Sequence, residues 1–167
     1  MKNTIYILAL ILISWSAEAQ HDHASHSQPQ ATAAPTFKDA RLTTAYTDYL
    51  HLKDALVASK AADAKQAAAA LQKSAGALAN GKKVTASAAT IAASSDLDAQ
   101  RKIFAALSTD MKELVNGNIA SGALYLEYCP MANNHEGAYW LSNEKQILNP
   151  YFGDKMLHCG SVKETIQ

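Results

Sequence analysis

The stretch "DAKQAAAALQKSAGALANG", residues 63–81, restricts the fold more than any other part of the chain. Alanine is the strongest helix former, so the segment reads as a helix, stopped by Asn80 and Gly81. Its contact face is mostly alanine, with Leu71 and Leu78 as the larger apolar side chains. A face this low lets a neighbouring helix approach closely, and the flanking segments supply such neighbours. In "TFKDARLTTAYTDYLHLKDALVASK", Leu42, Ala45, Tyr46, Tyr49, Leu50, Lys53, Leu56 and Val57 follow helical spacing with one mostly apolar face. Pro35 and Thr36, with Asp39 three residues on, suggest a capping-box start. "VTASAATIAASS" reads as a shorter helix. "SDLDAQRKIFAALSTDMKELVNGN" reads as a long one, capped by Ser95 or Asp96. It directs Ile103, Phe104, Leu107, Met111, Leu114 and Val115 inward and ends at Asn116 and Gly117.

The last fifty residues change character. Tyr125, Tyr128, Tyr139, Trp140, Tyr151 and Phe152 concentrate there; "ALYLEY" alternates, "GAYWLS" is β-prone, and "NNHEG" between them is turn-like. "NPYFG" is a second turn that sends "DKMLHCG" back towards the first. The fold expected is mainly α: an up-and-down three- to four-helix bundle with a small β-hairpin or irregular C-terminal cap.

The N-terminal residues are separate from this domain. Lys2, the apolar run from Ile5 to Ile13 and "AEA" at Ala17 to Ala19 form the pattern of a secretory signal peptide, residues 1–19. Residues 20–35 read as a disordered arm carrying His21, His23 and His26, imidazoles able to gather Cu(II), Zn(II) or Ni(II) weakly. Residues 36–167 form the bundle domain. An exported, periplasmic protein with no membrane insertion after signal cleavage is expected. Lysine plus arginine and aspartate plus glutamate balance at 15 each, which removes the basic face that nucleic acid or anionic lipid would need.

Both cysteines fall in the last forty residues, each beside a methionine: Cys129 in "CPM" with Met131, and Cys159 in "MLHC" with Met156. Thiolate and thioether are soft donors that select Cu(I) or Ag(I), and His135 and His158 are further candidate ligands. Zinc held by Cys129, Cys159 and two histidines is a lesser option, because the spacing matches no common zinc-finger pattern. In an oxidising compartment the same cysteines could form a disulfide closing a loop of about thirty residues, contributing roughly 3–4 kcal/mol. The methionines would then be core filler. A reversible redox use of the pair is a third possibility. Nothing argues for catalysis. Ser142 and Ser161 lack a G-x-S-x-G context, and Asp39, Asp48 and Asp54 fall on polar helix faces.

The segments "DLDAQRKIFAALSTDMKELV" and "YLEYCPMANNHEGAYWLSNEKQILNPYFGDKMLHCGSVKETI" resemble the bacterial domain-of-unknown-function family 3347 (DUF3347), the likeness running from Thr36 to Ile166. "YCPMA", "GAYWLS", "NPYFGDKML" and "CG" carry it. That family occurs as exported proteins and attached to periplasmic adaptor subunits of heavy-metal efflux pumps. The resemblance implies a helical periplasmic domain handling copper or silver, with the motif residues falling on Cys129, Met131, Met156 and Cys159 and with His158 ranked below them. It also implies an efflux adaptor or pump as a partner. The function expected is sequestration or delivery of Cu(I) or Ag(I). The rival is a non-metal helical interaction module stapled by a Cys129–Cys159 disulfide.

Overall fold

The computed structural model describes residues 34–167, all within one compact unit, Ala31–Gln167. Residues 1–19, read above as a signal peptide, and His21, His23 and His26 lie outside the described residues.

Four helices pack in chain order, α1 (Ala40–Val57), α2 (Ala61–Gly76), α3 (Lys82–Ala93) and α4 (Leu97–Val115). Asp39 caps α1 by accepting from the Arg41 N–H, and Asp96 caps α4 by accepting from the Asp98 and Ala99 N–H groups. The capping box expected at Thr36 does not form. Thr36–Phe37 is instead a short strand, β1, paired with β2 (Ile119–Ser121), so the chain is still extended at the residue expected to cap. Ala64, Ala68, Leu71 and Ala75 are the buried face of α2, and Val84, Ala88 and Ile91 that of α3, so small residues set the spacing between these helices. On α1, Leu52 is fully buried and Leu50 only partly, which rotates the expected apolar face slightly. No helix among the described residues is long and apolar enough to cross a membrane.

The C-terminal part is more regular than expected. The hairpin forms, from β3 (Leu124–Cys129) and β4 (Ala138–Ser142), in register from Tyr125↔Ser142 to Cys129↔Ala138. A further strand, β5 (Ser161–Ile166), pairs antiparallel with the other edge of β3 and gives the order β4-β3-β5. Its sequence, "SVKETI", is mostly exposed and alternates too weakly to announce itself. An ion pair of 2.7 Å between Lys112 and Glu164 ties this strand to α4.

A chain of rings joins bundle to cap. Phe37 meets Tyr46, Tyr46 stacks on Tyr49, and Tyr49 stacks on Phe104 at 5.3 Å. Phe104 then meets Tyr151, which meets Trp140 on β4. The fully buried Tyr49 hydroxyl is 2.8 Å from the Ser108 hydroxyl and accepts from the Leu141 N–H at 3.0 Å. One side chain of α1 therefore holds both α4 and the sheet, and burying the phenol with its partners satisfied costs little. This seam fixes where the sheet, and with it the sulfur residues, sits against the bundle.

Candidate metal centre

Cys129 is the last residue of β3, at the centre of the sheet, and is fully buried. Cys159 lies two residues before β5. Because Tyr128 pairs with Ser161, the sheet register carries Cys159 back alongside Cys129. The two Sγ atoms are 2.9 Å apart, and both cysteines are free thiols. The spatial convergence expected of residues thirty apart is therefore met for this pair.

Three local devices make it possible. The first is Asn149, fully buried in the "NPYFG" turn. Its amide donates to the Cys159 carbonyl at 2.7 Å, and its side-chain oxygen accepts from the Tyr151 N–H at 2.8 Å. Its backbone N–H adds a bond to the Leu157 carbonyl. The second is Arg101 of α4, whose guanidinium donates to the Pro150 and Leu56 carbonyls and to the Ser59 hydroxyl, clamping the same turn to the end of α1. The third is Gly160, at φ +145, where a Cβ would stand 2.9 Å from the Trp140 ring and 3.0 Å from the Tyr128 carbonyl. Only glycine lets the segment after Cys159 come this close to β3.

The turn after Cys129 is equally constrained. Asn133, Asn134 and His135 all take left-handed backbone angles, at φ +51, +56 and +69. Asparagine tolerates that region and histidine less so, so the turn holds some strain at a candidate ligand. It is closed by the Gly137 N–H donating to the Ala132 carbonyl and by the Asn133 amide donating to Glu136 at 2.7 Å.

Neither methionine is buried in the core. Met131 is 39% exposed, and Met131, Met156 and His135 line one cavity of about 620 Å³ together with Tyr151, Phe152 and Arg101. Met156 stays close to Cys159, because its carbonyl accepts the Cys159 N–H at 3.0 Å. The reading of both methionines as core filler is therefore a poor fit. His158 stands apart: its Nδ1 is 2.9 Å from the Ile147 carbonyl, and it does not line the cavity. Among the described residues no three of histidine, cysteine, aspartate and glutamate converge on a point where they could hold a metal ion. The soft groups form two sets: the thiol pair, and two thioethers with one imidazole on a common cavity.

The hydrogen bond with Cys129, reinforced by burial, pushes the Cys159 thiol up to about 11. The Cys159 thiol is thus protonated at neutral pH, and a cation that binds there has to displace its proton. The guanidinium of Arg101 donates to three neutral acceptors and lies 3.9 Å from the Asp98 carboxylate, which with Lys102 also lines the cavity, so that wall carries charges of both signs.

Asn149, Arg101 and Gly160 were not singled out in the sequence. Asparagine and glycine in a turn are too common to stand out, and an arginine on a helix reads as solvated. The "NP" dipeptide before an aromatic pair was the one available signal.

No curated protein and no solved structure matches the chain. A family model does, over residues 45–122, a span that takes in most of α1 and continues through β2 but ends before the sulfur-bearing turns. That segment is similar to the family described as "Protein of unknown function (DUF3347)".

Proposed function

We propose that this protein binds Cu(I) or Ag(I) in the periplasm and sequesters the ion or passes it to a heavy-metal export system. The single observation that carries the reading is the meeting of two sulfur-bearing turns. The Cys129 and Cys159 thiols lie 2.9 Å apart, and Met131 and Met156, two and three residues from them in the chain, line one cavity. Soft donors of this kind hold monovalent d¹⁰ ions and discriminate against harder ones. Met131, His135 and Met156 form an outer donor set that solvent can reach, and the thiols form an inner one. Cargo can pass between them one ligand at a time, as handover to an efflux adaptor or pump requires. The protein acts here as a carrier and not as an enzyme.

Titration of the reduced, metal-free protein with Cu(I) against a chromophoric chelator tests this. One ion per chain is expected, with weaker retention in Met131→Leu and Met156→Leu. No uptake by the fully reduced protein would sink the reading. The second reading, a disulfide-stapled interaction module, draws on the same Sγ–Sγ approach. A thiol count on protein isolated from periplasm separates the two: a staple leaves no titratable thiol in any molecule and no copper.

A further inference from the structure

We propose that the Cys129–Cys159 pair is also the electron donor that converts Cu(II) to Cu(I), and that Met131, Met156 and His135 retain the product. The inference rests on the soft-metal reading and assigns separate duties within it, reduction to the thiols and capture to the thioethers and imidazole. Each Cu(II) ion takes one electron. The S–H bonds of Cys129 and Cys159 break, one Sγ–Sγ bond forms, and two protons leave to solvent: two Cu(II) and two thiols give one disulfide, two Cu(I) and two protons.

The geometry favours that step. From 2.9 Å, the sulfurs need approach by only about 0.9 Å to reach the length of a disulfide. Neither backbone has to move far, because β3 holds one and the Asn149 amide with the Met156 carbonyl holds the other. Cys159 is partly exposed while Cys129 is fully buried, so an oxidant has to be small and enter from the Cys159 side, which suits a metal ion. Oxidation removes the thiols as ligands yet leaves Met131, Met156 and His135 unchanged. Thioethers hold Cu(I) far better than Cu(II), so the cavity that Met131 and Met156 line stabilises the reduced ion and draws the reaction forward.

The test uses the full chain, reduced and metal-free, mixed without oxygen with two equivalents of a cupric salt. The Cu(II) electron paramagnetic resonance signal should vanish, both thiols should be lost in a monomer lighter by two hydrogens, and one copper should remain per chain after desalting. A variant combining Met131→Leu and Met156→Leu should still reduce Cu(II) but keep no copper. Cys159→Ser should leave the cupric signal in place. Persistence of that signal with both thiols still titratable overturns the proposal, as does loss of thiols only into intermolecular dimers. Reduction by the native chain with no copper retained overturns the capture half. Cu(I) titration of the same reduced sample stands apart from these outcomes. Cu(I) uptake without Cu(II) reduction removes this inference alone, whereas absence of Cu(I) uptake removes the binding function on which it rests.

Discussion

Glu127 offers the sharpest test of the sheet's placement. It sits in the middle of β3 opposite Trp140 and is fully buried. The Tyr46 hydroxyl is likewise buried, without a hydrogen-bond partner. Burial pushes the carboxyl up to about 8 from 4.5, partly opposed by the charge of Lys53, which is buried beside Asp54, and then by the Trp140 indole N–H. The folded protein thus holds this proton more tightly than the unfolded chain does. The resulting stabilisation is complete below pH 4.5 and is lost as pH rises through 8. Between those values the slope is about 1.4 kcal/mol per pH unit, so at most about 3 kcal/mol disappears from pH 5 to pH 7.5. That is a large part of a typical domain's stability of about 5–15 kcal/mol. Glu127→Gln keeps the shape and removes the titration. Urea unfolding of the metal-free native and variant proteins across this range, taken as a difference, should show the native chain losing its relative advantage as pH rises. A flat difference, or one growing with pH, would refute the argument that the carboxyl is desolvated under α1.

Other consequences are equally concrete. Asn149→Ala leaves the Cys159 carbonyl and the Tyr151 N–H buried without partners and should cost about 2–4 kcal/mol in denaturant unfolding while weakening Cu(I) retention. Gly160→Ala should separate the sulfurs by forcing a Cβ against Trp140 and Tyr128, read as slower disulfide formation under a mild oxidant. Met131→Leu, at a half-exposed position, should change stability by less than about 0.5 kcal/mol, so any lost copper affinity reports on the thioether itself. Cu(I) affinity should rise with pH, with proton release on binding, because the Cys159 thiol is held well above its ordinary range.

The four helices were legible because their signals are local: alanine propensity, aspartate caps and apolar spacing act within a few residues. The hairpin was legible for the same reason, from alternation in "ALYLEY" and the asparagine-rich turn. β5 was not. Its stability comes from pairing with the far edge of β3 and from Lys112–Glu164, contacts set by partners distant in the chain. The candidate site divides along that line. The sulfur residues were visible as types, and the two turns made a meeting of Cys129 with Cys159 possible without deciding it, because the β3–β5 register that brings them together is long-range. The withdrawal of His158 to the Ile147 carbonyl depends on a loop path that no spacing encodes. The same holds for the opening of Met131 and Met156 onto a shared cavity with His135.

The register of β5 with β3 is what draws the second thiol against the first. Peeling that one strand from the sheet edge would part the two sulfurs while leaving the four helices as they are. The thiol pair is therefore only as persistent as the zip of β5, and any partner that competes for the β3 edge would also unmake the pair.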